Sequence, residues 1–156
     1  MEFRQAAKVA AVSLAGLAGI AGWEGMSERV YMDPVGIPTV CTGSTSGLTV
    51  RDVGKRVSPL ECQWRLNEDI KKTEAPLRKC VKAQVTQEQW DALVSLAFNI
   101  GSTATCNSTL VRKHNAGDCR GAQAEFGRWV FAKGQRLPGL VTRRAGESEW
   151  YGSGCR

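Results

Sequence analysis

Apolar and polar positions divide this chain into stretches of different period. Residues 9–23, VAAVSLAGLAGIAGW, carry no charge and follow Arg4 and Lys8. Fifteen residues fall short of the roughly 17–25 that a spanning helix needs, and eight of these fifteen are Ala or Gly. Such a run can enter a bilayer and also leave it. A cleavable signal peptide has the same layout, with Ala18 and Ala21 as small residues for processing.

Behind that run the pattern shortens. Residues 29–50 are rich in Val, Thr, Tyr and Ile and are broken by Asp33-Pro34, Gly36, Pro38, Gly43 and Gly47, which predicts short strands and tight turns. From Ser58 the period becomes helical: Ser58-Pro59-Leu60-Glu61 offers an N-cap, a proline at the first position and an early acid, opening a long helix with apolar Leu60 and Trp64. Thr86 and Gln89 repeat the capping logic ahead of Trp90, Leu93, Val94, Leu96, Ala97 and Ile100, a helix buried on most sides and ended by Gly101. Further helices are predicted at 108–115, 121–130 and 140–150. The expected fold is α+β, mostly helical, with a small β-hairpin region near the front. A length of 156 residues suits one domain.

Composition adds an environment. The net charge of +6 favours an anionic partner, but the positives are scattered without interleaved aromatics, so no nucleic acid is expected. The six cysteines, Cys41, Cys62, Cys80, Cys106, Cys119 and Cys155, form no C-x-x-C, and His114 is the lone histidine, so neither a metal nor another cofactor is expected. An even, unpatterned set suggests disulfides and an oxidising compartment, with buried free thiols as the alternative. Cys62 and Cys80 lie in one predicted helix, about 27 Å apart, too far to bridge. Cys106 and Cys119 flank one short helix and are expected to pair. Cys41 at the hairpin then takes Cys62, leaving Cys80 with Cys155.

The candidate chemistry lies directly after the apolar run. Glu24 is expected at a helix end beside Trp23, an apolar setting that suits a proton-donating carboxyl, and Asp33 among polar turn residues. Two carboxyls in unlike settings are what glycoside hydrolysis uses. Spacing alone is equally consistent with a solvated helix-end acid and a plain turn residue before Pro34.

Glu24, eight residues, Asp33, five residues and Thr39 together resemble the signature of phage lysozymes of the T-even and lambdoid type, glycoside hydrolase family 24. ALVSLAFNIG at 92–101, STLVRKHNAGD at 108–118 and RWVFAKGQRLPGLVTRRAGE at 128–147 resemble further blocks of lambdoid endolysins in the same order. The resemblance implies a two-lobed lysozyme-like fold whose cleft binds peptidoglycan, and a muramidase that cleaves the β-1,4 bond between N-acetylmuramic acid and N-acetylglucosamine. By it Glu24 is the general acid, while Asp33 and Thr39 position the attacking water, with inversion at the anomeric carbon. One departure stands out: relatives commonly carry a histidine where this chain has Ser44, which bears on lobe-anchoring contacts. The N-terminus resembles that of signal-anchor-release endolysins. This divides the chain into an N-terminal segment, 1–23, and a catalytic domain, 24–156. It implies export by the host translocon, tethering to the inner membrane through residues 9–23, and release to the periplasm as a monomer. Readings from other classes are an inactive glycan-binding module and a basic membrane-permeabilising protein. His114 is expected on an exposed helix face, Arg143 in an ion pair with Glu147, and Trp129 in the core.

Overall fold

The computed structural model describes Val9 and residues 11–156; the charged flank at Arg4 and Lys8 lies outside the described residues. Seven α-helices and two antiparallel two-stranded sheets are present among them: α1 Leu14–Glu24, β1 Ser27–Met32, β2 Pro38–Cys41, α2 Pro59–Cys80, α3 Gln87–Ile100, α4 Ser102–Cys106, α5 Thr109–Asn115, α6 Cys119–Glu125, β3 Phe131–Ala132, β4 Gln135–Arg136 and α7 Pro138–Ser153. This is a mostly helical α+β fold. The chain forms two compact units, Ala18–Lys72 and the residues up to Leu17 with Thr73–Arg156.

In the smaller unit, β1 pairs with β2 in a register that sets Tyr31 opposite Thr39 and Met32 opposite Pro38. The other edge of β1 is covered by the strand-like segment 54–57, through Val30 N–H to Lys55 O (2.9 Å), Gly54 N–H to Val30 O (2.8 Å) and Val57 N–H to Glu28 O (2.8 Å). Val30, Val40, Cys41 and Cys62 make a small core there. Ser58 starts α2 as expected, accepting from Glu61 N–H at 3.1 Å. The buried stripe of α2, however, is Cys62, Leu66, Ile70 and Leu77, while Leu60 and Trp64 are exposed. The spacing of four, four and seven marks one helical face, which Leu60 and Trp64 do not share.

The larger unit is built around α3. Thr86 and Gln89 form the reciprocal capping box that the sequence predicts. Ala92, Leu93 and Leu96 then pack with Leu110, Val111, Ala122, Phe126 and Tyr151. Truncating one of these leucines to alanine costs about 2–5 kcal/mol. Three features differ from expectation. The helix expected at 121–130 starts at Cys119, because Asp118 caps it by accepting from Gly121 N–H at 2.9 Å, and it tightens into a 3-10 turn at Phe126–Arg128. The β3–β4 hairpin and the short α4 are additional. Lys133 and Gly134, both with positive φ, supply the two-residue turn that joins β3 to β4.

The structure contains three disulfides. Cys41–Cys62 is the pair expected; the expected Cys106–Cys119 and Cys80–Cys155 pairs are replaced by Cys80–Cys106 and Cys119–Cys155. The correction has a geometric cause. Helix α5 and its turns separate Cys106 from Cys119, whereas α4 brings Cys106 to within 5.6 Å (Cα–Cα) of Cys80 at the end of α2, and Cys119 lies 5.7 Å from Cys155 beyond α7.

Candidate active site

Glu24, Asp33 and Thr39 all belong to the unit Ala18–Lys72. Glu24 is the last residue of α1, as expected for a helix-end acid, and is half-buried. Gly25, with φ of 70°, turns the chain out of the helix before β1 begins at Ser27. Trp23 beside it is exposed.

Asp33 and Thr39 are tied together by one residue between them. The Asp33 carboxylate accepts at Oδ1 from Val35 N–H (2.9 Å) and Ile37 N–H (2.8 Å), the side-chain turn that a short acid makes after a strand. Ile37 O then accepts from Asp33 N–H at 3.0 Å and from the Thr39 hydroxyl at 2.9 Å. Both functional groups are therefore oriented by the backbone of the same residue, the carboxylate by its N–H and the hydroxyl by its C=O. Asp33 Oδ2 accepts no hydrogen bond among the described residues, and the Thr39 hydroxyl has its hydrogen committed to Ile37. Its lone pairs remain for an incoming donor. A water donating to both oxygens would be held with its own lone pair directed away from them.

The segment after β2 is clamped to α2, a feature with only a partial signal in the sequence. Cys41 adopts a left-handed conformation (φ 59°) and is bridged to Cys62. Ser44, the departure noted in the resembled pattern, is buried and exchanges backbone hydrogen bonds with Val40, at 2.9 Å each. From α2, Arg65 donates to Ser44 Oγ (3.3 Å) and Ser46 O (2.8 Å), while Glu61 holds its Nε at 3.1 Å. Serine is thus anchored here by an arginine. The Cys41–Cys62 spacing gave half of this clamp; nothing in the pattern singled out Arg65.

Other singled-out residues have structural positions. His114 is buried rather than exposed, with Nδ1 2.6 Å from the Tyr151 hydroxyl and Nε2 without a hydrogen-bond partner among the described residues. Burial holds the imidazole below its ordinary value, with the Ala83 and Gln84 backbone acting in the opposite direction. Burial, then the charge of Asp118, push the Tyr151 phenol up to about 12. Arg143 pairs with Glu147 at 2.9 Å as the spacing predicts, but deep in the larger unit, where Ser95 also donates to Glu147 at 3.1 Å. Burial raises the Glu147 carboxyl while Arg144 and Arg143 oppose it. Trp129 packs against the core. No group of three or more His, Cys, Asp or Glu able to hold a metal occurs among the described residues.

Comparisons with known proteins converge. Residues 21–147 match the family described as Phage lysozyme. The chain is 41% identical over 135 residues to an endolysin of Acyrthosiphon pisum secondary endosymbiont phage 1, covering 84% of this chain and 90% of that protein. It is 37% identical over 146 residues to the SAR-endolysin of Enterobacteria phage P21, covering 92% and 86%. Among solved structures, a mutant of P22 lysozyme superposes with a TM-score of 0.82 at 29% identity, covering 92% of this chain and 99% of that one.

Proposed function

The chain belongs to the phage lysozyme family, a glycoside hydrolase with peptidoglycan as substrate, and from that premise we propose that Glu24, Asp33 and Thr39 carry out its catalysis by inversion. Glu24 gives its proton to the glycosidic oxygen as the bond to the anomeric carbon breaks. Water between Asp33 Oδ2 and Thr39 Oγ1 adds to that carbon from the opposite face and passes a proton to Asp33. One hydrogen leaves Glu24 and one arrives at Asp33, so exchange with solvent resets the pair. The supporting observation is the Ile37 backbone, whose N–H and C=O fix the carboxylate and the hydroxyl around one turn and leave an acceptor on each. Water needs room in this route, which requires the two carboxyls to stand roughly 6.5–9.5 Å apart around bound glycan. NMR of the first-formed sugar ends tests this: the α anomer from a β-1,4 bond is expected, and an initial β anomer would replace inversion by retention.

The working location follows from the apolar run. The chain is exported through the host translocon, tethered in the inner membrane by residues 9–23, and released to the periplasm uncleaved, where it acts as a monomer. The relative named SAR-endolysin and the short, glycine-rich composition of the run support this. Among the described residues no helix is long and apolar enough to cross a membrane; once folded, α1 uses 11 residues, about 16 Å, against a hydrocarbon core of about 30 Å. Mass spectrometry of the periplasmic protein distinguishes the routes. An intact N-terminus is expected, and a chain beginning near residue 22 would establish ordinary signal cleavage.

A further inference from the structure

The residues that precede α1 meet the first turns of α3 in a polar junction that the catalytic mechanism does not use. Asp91 on α3 is 2% exposed, and a carboxylate placed so deeply requires donors. It has three: Ser13 N–H at 3.0 Å, the Ser13 hydroxyl, and Gln87 Nε2 at 2.8 Å. Two of the three come from a single residue of the apolar run. Ser13 also starts α1, its Oγ accepting from Gly16 N–H at 3.0 Å and its carbonyl from Leu17 N–H at 2.9 Å.

The neighbouring backbone is held as well. Ala11 O accepts from Gln87 Nε2 at 3.0 Å and Val9 O from Arg78 Nη1 at 3.1 Å. Gly16 is buried against the same carboxylate: a Cβ at that position would stand 2.7 Å from Asp91 Cγ and 2.6 Å from Val12 Cγ1. Only glycine permits this approach.

We infer that Asp91, Gln87 and Arg78 form a receptor surface for the chain's own residues 9–17, and that docking there competes with the bilayer for the segment. This rests on the tether reading above. A segment in lipid deprives Asp91 of two donors, and Ser13 has no carboxylate to bond in hydrocarbon. Docked, the same serine makes charge-assisted hydrogen bonds and caps its helix. The docked state is therefore favoured by contacts that exist only off the membrane, which is the differential interaction a release equilibrium requires. Ser13 in an otherwise apolar run thus serves both departure and capture.

Asp91→Ala tests this cleanly because Asp91 lies outside the segment and leaves its lipid affinity unchanged. In cells making the full-length chain, the membrane-retained fraction is expected to rise several-fold, while Val111→Ala, a core truncation elsewhere in the same unit, leaves it at the wild-type level. In the purified full-length protein, exchange of the Gly16 and Leu17 amides should accelerate at least tenfold in Asp91→Ala. Gln87→Ala, also outside the segment, removes the third donor to Asp91 and the contact to Ala11 O and reports the same two effects in smaller measure, should Asp91→Ala fail to fold. Wild-type partition in these variants, alongside a wild type that does pass through the membrane, overturns the receptor and leaves the tether standing. A wild type that never enters the membrane, or that loses residues 9–21 by cleavage, removes both.

Discussion

Asp33→Asn separates turn-making from the proposed chemistry, because an amide oxygen still accepts from Val35 and Ile37 while the second carboxylate oxygen becomes a non-basic amide nitrogen. The hairpin should survive with activity on isolated peptidoglycan lower by about 10²–10⁴, the usual worth of a positioned base. A variant with near-wild-type turnover would assign the base elsewhere. Thr39→Val should be similarly impaired and Thr39→Ser active, since the serine hydroxyl can still donate to Ile37 O. His114 makes a second prediction at this scale. Burial keeps its folded pKa below the ordinary 6.5, so the neutral ring contributes stability that is complete above pH 6.5 and lost as pH falls through the folded value. Melting temperatures between pH 7 and 5 should therefore fall more steeply for the wild type than for His114→Gln, even though that variant is about 1 kcal/mol less stable at pH 7 for want of the bond to Tyr151. Parallel curves would show that the ring does not titrate with folding.

At the scale of elements, the disulfides close loops of 21, 26 and 36 residues, and each bridge stabilises by about 2–4 kcal/mol. Reduction should lower the melting temperature without abolishing activity in the cold, and peptide mapping of the unreduced protein should recover Cys80–Cys106 and Cys119–Cys155. Recovery of Cys106–Cys119 would return the assignment to sequence spacing. That spacing misled because it took the turns around one short helix to bring its flanking cysteines together, whereas Cys106 ends α4 beside Cys80 and Cys119 opens α6 beside Cys155. Helix starts were legible, since Ser58, Thr86 and Ser108 cap through bonds to residues three further on. Asp118 follows the same rule, accepting from Gly121 N–H, although the pattern placed the start of that helix at 121. The exposed Leu60 and Trp64 show a different limit: apolar character singled them out, but the position of each residue around the helix decides burial. The site motif was legible in type and order, whereas its clamp was not, because Arg65 reaches the hairpin across 21 residues of sequence and carries no local signature.

For the whole molecule, the proposed tether requires an apolar run that serves two solvents in turn. Exposed positions on α1 allow its lipid affinity to be raised without obstructing the fold: Ala18 is exposed, and a Cβ on Gly22 meets nothing within 4 Å. Ala18→Leu with Gly22→Leu should hold the chain in the membrane and delay lysis, each leucine adding a few tenths of a kcal/mol of insertion preference. Unchanged lysis timing would show that release is not set by the run's apolarity. Gly16→Leu would be less informative, because it also collides with Asp91. The net charge of +6 assists at the other end of the journey by favouring an anionic wall polymer. Lysis by hydrolysis is nonetheless distinct from lysis by a basic protein disturbing a bilayer. The direct measurement is release of new reducing ends from isolated, membrane-free peptidoglycan by the purified wild type and by Glu24→Gln, with both shown folded by circular dichroism. The wild type should generate reducing ends steadily and Glu24→Gln should generate them at least about 10²-fold more slowly; equal release by the two proteins, or none from the wild type, would contradict a hydrolase built on Glu24.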